Sequence, residues 1–202
     1  MSYRRIDAVG VGGTLLTALG LAIAYPRLPA NVATHWTLAN EVDGTMGKPV
    51  FAAFSVLLVA GTYGFMRALP RFDSSVELTD PLYETVTAVT LAFLLAVNGY
   101  VIAVNLGYPI SVDLATAVVL AGLYAVLGTA MVRFDGSGTG TWPRTPEARA
   151  QVNNVLGRSF QLAAILSLAA LAFPAYTAPL VVTIAVVVPL AALVYAAVRQ
   201  RA

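Results

Sequence analysis

Residues 159–198 read SFQLAAILSLAALAFPAYTAPLVVTIAVVVPLAALVYAAV, a run of 40 residues with no Asp, Glu, Lys or Arg. A helix crosses the hydrocarbon core of a bilayer, about 30 Å thick, with roughly 20 apolar residues, so this run is long enough for two spans. Pro174 and Pro179 lie near its middle, where they interrupt a helix. The run therefore predicts a helical hairpin, with one span near 158–173 and the next near 180–198.

Four further stretches without charge precede this run, at 8–26, 49–66, 85–112 and 114–132. Each is long enough for one membrane span. The sequence therefore predicts an all-α integral membrane bundle of six transmembrane helices. The first four helices are expected at about 7–25, 49–65, 85–106 and 112–132.

The composition agrees with this class of protein. Of the 202 residues, 58% are hydrophobic and 11% are charged, whereas a soluble domain carries about 25% charged residues. The connecting segments are too short to fold alone, which excludes a soluble enzyme domain, a nucleic-acid-binding domain and a large extramembrane catalytic domain. Because the chain has no Cys, a disulfide framework and a thiolate metal site are excluded too. Membrane lipids are the expected surroundings, and no cofactor or direct nucleic-acid partner is expected.

The basic residues predict the orientation, because the side that holds more Lys and Arg in short loops is normally cytoplasmic. Alternate segments place only Arg27 and Lys48 on one side of the membrane. The other side holds ten arginines, namely Arg4, Arg5, Arg67, Arg71, Arg133, Arg144, Arg149, Arg158, Arg199 and Arg201. We therefore expect both termini in the cytoplasm and the protein in the plasma membrane.

One competing interpretation concerns the N-terminus. Arg4-Arg5, an apolar run and Ala22-Ile23-Ala24 imitate a secretory signal with its small-residue cleavage site. A chain with five further spans needs no cleaved signal, so we expect the first span to be retained. The chain then divides into a helical hairpin at 1–70 and a four-helix membrane portion at 71–202.

The outer loop at 26–48 is the most distinctive segment, because it holds the only His, the only Lys and one of the two Trp residues. Asn40 tolerates a left-handed backbone conformation, and Asp43-Gly44 and Gly47 are strong turn residues. These features predict a compact folded loop rather than a slack connection. Its backbone polar groups need partners at the membrane edge.

The loop resembles the N-terminal domain of unknown function carried by the SdpI-type family of membrane proteins. The resemblance rests on Leu28-Pro29, Val32, His35-Trp36, Asp43-Gly44 and Lys48, with Asn40 where the family usually has Gly. It implies a non-enzymatic protein that gives immunity to a membrane-active peptide, or that signals by drawing a small repressor to the bilayer. The implied ligand-binding set on the outer side is His35, Trp36, Asp43 and Lys48.

A second resemblance to the same family lies in the cytoplasmic segment at 133–158, where Arg144-Thr145-Pro146 precedes a polar stretch. Thr145 is suited to cap a helix and Pro146 to be its first residue. Two interpretations remain open: a short amphipathic helix in the inner interface, or an extension of the fifth span into water. The implied contact surface for a cytoplasmic partner comprises Arg144, Arg149, Asn153 and Arg158.

Two alternatives belong to other classes of function. His35 with Glu41 and Asp43 has ligand types suited to a metal or to acid–base chemistry, but lacks metal-ligand spacing and a neighbouring nucleophile. Asn98 and Asn105 in the third span could line a ligand pocket or a permease path, or could simply join helices. No charged residue is expected at mid-membrane depth, which counts against an ion pump.

Overall fold

The computed structural model describes residues 3–37, 39–72, 77–134, 145–173 and 176–199. Over these residues the chain forms six long helices and one pair of antiparallel strands. The helices are α1 (Tyr3–Ala24), α2 (Lys48–Ala68), α3 (Pro81–Asn105), α4 (Val112–Arg133), α5 (Pro146–Ala169) and α6 (Thr177–Arg199). The strands are β1 (Asn31–Trp36) and β2 (Val42–Gly47). Short 3-10 turns follow three of the helices, at Tyr25–Arg27, Leu69–Arg71 and Ala170–Ala172.

The helices have the length and composition of membrane spans. Within the described residues, 5 helices are long and apolar enough to cross a bilayer, and a shorter apolar helical stretch runs over Pro179–Tyr195. Large apolar side chains such as Leu15, Leu16 and Ile23 face outward, as lipid-facing side chains do. The prediction of a helical membrane bundle is confirmed.

Capping residues in the sequence fix several helix starts. The Asp80 carboxylate accepts hydrogen bonds from the backbone N–H groups of Leu82 and Tyr83, at 2.8 and 3.0 Å, where α3 begins. The Thr145 hydroxyl accepts one from the N–H of Ala148 at 3.2 Å, as predicted for the start of α5. These oxygens satisfy N–H groups that have no partner within the helix.

The prediction of a separate amphipathic helix before the fifth span is wrong. Helix α5 runs without interruption from Pro146 to Ala169, so this segment and the predicted fifth span form one helix. No Pro interrupts this segment, and Gly157 packs against Gly128 of α4, where a Cβ added at Gly128 would lie 2.5 Å from the Gly157 carbonyl oxygen. This close approach of two backbones holds the middle of α5 within the bundle.

The break before α6 also differs in detail from the prediction. Helix α6 begins at Thr177, so Pro179 lies in its first turn, where a proline is tolerated because that N–H lacks a partner within the helix. Pro174 lies outside the described residues. The helical hairpin of α5 and α6 remains as predicted, with α6 starting three residues earlier.

An all-α fold was an incomplete prediction, because the loop between α1 and α2 contains the two strands. They pair antiparallel, with Asn31 opposite Gly47 and Trp36 opposite Val42. We call residues 31–47 the β-hairpin. Val32 is fully buried and belongs to a core cluster with Leu21 and Phe51, so the β-hairpin is seated on α1 and α2.

Helix packing brings the ends of two further helices to the β-hairpin. Helix α3 packs against α1, α2 and α4, while α4 packs most extensively against α5. A tight turn at Gly107, with φ of 90°, connects α3 to α4. The end of α3 and the start of α4 therefore lie beside the β-hairpin.

Candidate functional site

The turn of the β-hairpin is held by hydrogen bonds within the segment. The N–H of Thr37 donates to the carbonyl of Glu41 at 2.8 Å, and the N–H of Asn40 donates to the carbonyl of Thr37 at 3.0 Å. Asn40 has φ of 61°, the left-handed conformation that Asn adopts more readily than most residues. The folded loop is thus confirmed, and Asn40 has the predicted backbone conformation.

The Asn40 side chain connects this turn to α4. Its amide nitrogen donates to the Asp113 carboxylate at 3.0 Å, and its amide oxygen accepts from the N–H of Val112 at 3.0 Å. Val112 is the first residue of α4, so the oxygen satisfies an N–H group without a partner inside the helix. The tip of the β-hairpin is therefore fixed to α4.

Asn105 forms the equivalent connection from α3 to β1. Its amide oxygen accepts from the N–H of Ala33 at 2.8 Å, and its amide nitrogen donates to the carbonyl of Ala33 at 2.9 Å. One side chain thus replaces the two hydrogen bonds that a neighbouring strand would make with Ala33. Strand β1 is docked on the last turn of α3.

His35 and Asp43 form an exposed polar pair on the β-hairpin. The Nδ1 atom of His35 lies 2.5 Å from a carboxylate oxygen of Asp43, and the two side chains are 73% and 43% exposed. Gly44 lies opposite His35 across the strands. Because Nδ1 is bound to Asp43, the other ring nitrogen, Nε2, is the one available to a ligand.

Lys48 closes the base of the β-hairpin. Its ammonium donates to the carbonyl of Leu28 at 2.8 Å and lies 4.8 Å from the centre of the Tyr25 ring. Its backbone N–H donates to the carbonyl of Ala30 at 2.8 Å. These contacts give Lys48 a structural role, which combines a charged hydrogen bond with a cation–π contact.

An apolar cleft of about 330 Å³ lies between β1, α3 and α4. We call it the β-hairpin cleft. His35 and Trp36 line it from the strand, Val97 and Tyr100 from α3, and Thr116 from α4. The Trp36 and Tyr100 rings pack at 57° with centres 5.6 Å apart, a favourable tilted arrangement of aromatic rings. Val97 is 37% exposed, so the cleft has a wall that also faces the surroundings of the bundle.

The structure brings part of the predicted ligand-binding set together. His35 and Trp36 line the β-hairpin cleft. Asp43 does not line it but contacts His35, which does. Lys48 lies away from the cleft. Asn98 is 8% exposed and donates to the carbonyl of Leu94 in its own helix at 2.9 Å, so it does not line the cleft either.

Tyr100 is the cleft residue that sequence reasoning missed, and helix geometry explains why. Residues 98 and 100 are separated by about 200° around a helix, so Asn98 and Tyr100 lie on opposite faces. The face that lines the cleft recurs at helical spacing through Phe93, Val97 and Tyr100. The helical spacing of these aromatic and apolar residues could have indicated the face of α3 that lines the cleft. Selecting polar residues instead led to Asn98, which lies on the opposite face.

The predicted cytoplasmic contact residues are not equivalent in the structure. Arg144 lies outside the described residues. Asn153 is only 8% exposed, which corrects its assignment to a contact surface, because its side chain faces the helix bundle. Arg149 is half-buried and Arg158 is exposed. Of the described residues in this set, Arg158 is the one whose side chain is exposed on the protein surface.

A metal site at the β-hairpin finds no support in the described residues, where no three His, Asp or Glu side chains come together. Glu41 does not complete a set with His35 and Asp43. A permease path past Asn98 and Asn105 is likewise unsupported, because both amides are engaged, one with its own helix and the other with β1.

Comparison with known proteins gives one family match. The model of a family described as a domain of unknown function, DUF1648, matches residues 12–60. The match covers most of α1, the β-hairpin and the first half of α2. No curated protein and no solved structure matches the chain. The matched segment contains His35, Trp36, Asp43 and Lys48, but neither Asn98 nor the cytoplasmic segment.

Proposed function

We propose that this chain is an SdpI-type protein of the plasma membrane, with six spans and both termini in the cytoplasm. Its β-hairpin recognises a membrane-borne peptide or a lipid-borne ligand on the outer side. Recognition gives immunity or resistance to a membrane-active peptide, or transmits a signal to a cytoplasmic partner such as a small repressor. The family match to the segment with the β-hairpin supports this assignment.

The observation that carries the proposal is the β-hairpin cleft beside the His35–Asp43 pair. A volume of about 330 Å³ falls at the lower end of the range for ligand pockets, roughly 300–1,000 Å³. Apolar walls with a polar pair at one edge suit an amphipathic ligand. An apolar side chain or acyl segment would enter the cleft, while its polar part would meet Nε2 of His35.

The attachment of the β-hairpin supports recognition by a preformed site. Asn40 fixes its tip to α4 and Asn105 fixes β1 to α3. A ligand then binds without first ordering the loop, so less binding free energy is lost to conformational entropy. The contact with the Asp43 carboxylate likewise fixes the orientation of the His35 ring before a ligand binds. Asp43 is therefore a positioning residue.

On the cytoplasmic side, the exposed Arg158 is the residue best placed to contact a soluble partner. Its guanidinium would pair with a carboxylate of that partner.

The experiment that tests the proposal is ligand-dependent protection. A susceptible cell expressing the chain is challenged with membrane-active peptides encoded near its gene, and the lowest lethal concentration is measured. We expect the wild-type chain to protect against at least one peptide. The lowest lethal concentration of that peptide should fall roughly tenfold or more in His35→Ala and Asp43→Ala, as loss of a central binding contact predicts. The matched control is Glu41→Ala, which removes an exposed carboxylate from the same β-hairpin outside the cleft.

Membrane levels of each variant are measured by quantitative blotting, so that protection is compared at equal amounts of inserted protein. Undiminished protection in both His35→Ala and Asp43→Ala would contradict the assignment of the site to the β-hairpin. An equal loss in Glu41→Ala would indicate general damage to the β-hairpin rather than loss of a ligand contact.

A further inference from the structure

The six helices form two groups of three, which meet mainly along α3 and α4. Helices α1, α2 and α3 pack against one another, as do α4, α5 and α6. Contacts within each group are close: Gly10 of α1 has no room for a side chain beside the Tyr63 ring of α2, and Gly128 of α4 meets the backbone of α5 at Gly157. The two groups can therefore shift along the α3–α4 contact with less loss of packing than within either group.

The β-hairpin cleft lies at the outer end of this contact, between β1, α3 and α4. Its α3 wall includes Tyr100, whose hydroxyl is buried and finds no hydrogen-bond partner in the described part of the chain. A buried hydroxyl without a partner costs free energy, which a hydrogen bond to water or to a ligand would recover. Widening of the cleft would give Tyr100 such a partner.

The Asn40 side chain bridges the mouth of this cleft. Val112, which lines the cleft, donates its N–H to the Asn40 amide oxygen, and the Asn40 amide nitrogen donates to the Asp113 carboxylate. Since Asn105 holds β1 on α3, these two hydrogen bonds join one group of helices to the other. Both are exposed, so water competes for the same donors and acceptors and lowers the cost of breaking them.

The connection between α3 and α4 permits movement of the start of α4. Residues 108–111 are exposed and belong to no helix or strand. Pro109 within them has no backbone N–H to donate. Because the connection is irregular and lies on the surface, the first turn of α4 can change position without unfolding either helix.

We propose that Asn40 is a latch on the β-hairpin cleft. While its amide is bound to α4, the cleft is narrow and the Tyr100 hydroxyl is covered. When the two hydrogen bonds break, α4 moves away from β1, the cleft widens and the hydroxyl is exposed. The β-hairpin stays folded, because Asn105 keeps β1 on α3. That the open cleft admits a ligand, to which Tyr100 then offers a hydrogen bond, rests on the proposed function.

The test measures access to the cleft without any ligand. Thr116→Cys places a thiol on the α4 wall at a half-buried position, in a chain that has no other Cys. The purified full-length protein in lipid nanodiscs is treated with a trimethylammonium methanethiosulfonate, and the rate of labelling is followed by mass spectrometry. Asn40→Gly removes both side-chain hydrogen bonds but keeps the left-handed backbone, which Gly adopts freely. We expect labelling roughly tenfold faster in Asn40→Gly, the factor that corresponds to loss of one hydrogen bond to a charged group.

A second variant tests the contact with Asp113 separately. Asn40→Asp keeps an acceptor for the N–H of Val112 but places a carboxylate beside that of Asp113, and the two like charges repel. We therefore expect faster labelling of Thr116→Cys in Asn40→Asp as well. Glu41→Gln, which changes an exposed side chain of the same turn, is the matched control and should leave the rate unchanged.

Two further measurements identify where the movement occurs. Labelling of Glu77→Cys, an exposed position outside the cleft, should be equal with and without Asn40→Gly. Hydrogen exchange at the Ala33 amide should also be unchanged in Asn40→Gly, because Asn105 still binds it. An unchanged rate at Thr116→Cys in Asn40→Gly would overturn the proposal. So would faster exchange at Ala33, because β1 would then have left α3. Neither outcome depends on whether the chain protects a cell from a peptide.

Discussion

Single residues in the β-hairpin determine how closely its strands approach. A Cβ added at Gly44 would stand 2.9 Å from the Cβ of His35, well below the separation of about 3.5–4.0 Å at which carbon atoms attract. A Cβ added at Gly47, in the same strand, meets nothing within 4 Å. The position of His35, and so its contact with Asp43, depends on the absence of a side chain at residue 44.

This difference gives a prediction for two matched substitutions. Gly44→Ala is expected to lower the free energy of unfolding by about 1–3 kcal/mol, as overpacking does, whereas Gly47→Ala should change it by less than about 0.5 kcal/mol. Thermal unfolding in detergent micelles measures the stability. Hydrogen exchange of the amides of β1 and β2 locates the change. Equal effects of the two substitutions would contradict the close approach at Gly44.

At Asn40, the residue type predicted the backbone conformation but not the contacts of the side chain. Its φ of 61° lies in the left-handed region, which Asn tolerates better than most residues that carry a side chain. The hydrogen bonds of its side chain to α4 could not be predicted, because the partners lie 72 and 73 residues away in the sequence. Local conformation was readable from the residue type, whereas its long-range contact was not.

At the scale of elements, α3 carries two asparagines seven residues apart with different roles. Within the described part of the chain, the Asn98 amide bonds to the Leu94 carbonyl of its own helix, whereas Asn105 pairs with both backbone groups of Ala33. Loss of the Asn105 amide would leave an N–H and a carbonyl of β1 without their partner. The cost of such unsatisfied groups is about 1–3 kcal/mol.

The same helix therefore offers a matched pair of variants. Asn105→Leu is expected to destabilise the β-hairpin by about 1–3 kcal/mol and to speed hydrogen exchange at the Ala33 amide, because that N–H becomes unpaired. Asn98→Leu should leave exchange at Ala33 unchanged. Hydrogen-exchange mass spectrometry on the purified protein measures both. Faster hydrogen exchange at the Ala33 amide in Asn98→Leu would refute the docking of β1 by Asn105. So would an unchanged exchange rate at Ala33 in Asn105→Leu.

The elements differ in how far they could be predicted. The charge-free stretches predicted helices α1 to α4 to within a few residues at most ends, because span length is set by the bilayer. The β-hairpin was missed, since its strands are six residues each and rich in turn-forming residues such as Gly44 and Gly47. For α5, Thr145 and Pro146 predicted where the helix begins, whereas local sequence left open whether this segment joins the fifth span, which the structure resolves as one helix over Pro146–Ala169.

Sequence analysis named the candidate-site residues of the β-hairpin but not the one on α3. His35, Trp36 and Asp43 lie in one short segment, where sequence neighbours remain spatial neighbours. Tyr100 belongs to a different helix, and its place in the β-hairpin cleft follows from the docking of β1 on α3. A contact of that range depends on tertiary packing rather than on local spacing.

At the scale of the whole molecule, the distribution of charge predicts the direction of insertion. The end of the bundle that carries the β-hairpin has Arg27 and Lys48, while the remaining Lys and Arg residues belong to the segments assigned to the other side. The excess of basic residues is expected in the cytoplasm. The β-hairpin cleft would then face outward, as recognition of an external ligand requires.

Orientation can be measured directly, because the chain has no Cys. Single substitutions Glu41→Cys, in the turn of the β-hairpin, and Glu77→Cys, before α3, place thiols at exposed positions on opposite ends. A membrane-impermeant maleimide applied to intact cells is expected to label Glu41→Cys but to label Glu77→Cys only after permeabilisation. The unsubstituted chain provides the unlabelled control. The reverse pattern of labelling would invert the assigned topology.

The hydrogen bonds that hold the β-hairpin also impose an order on biosynthesis. Ala33 and Asn40 are translated 72 residues before Asn105 and Val112, a delay of roughly 4–14 s at about 5–20 residues per second. An isolated two-stranded hairpin is marginally stable in water. The β-hairpin cleft is therefore completed only after α3 and α4 have been made, so a chain that stops before α4 has no finished cleft.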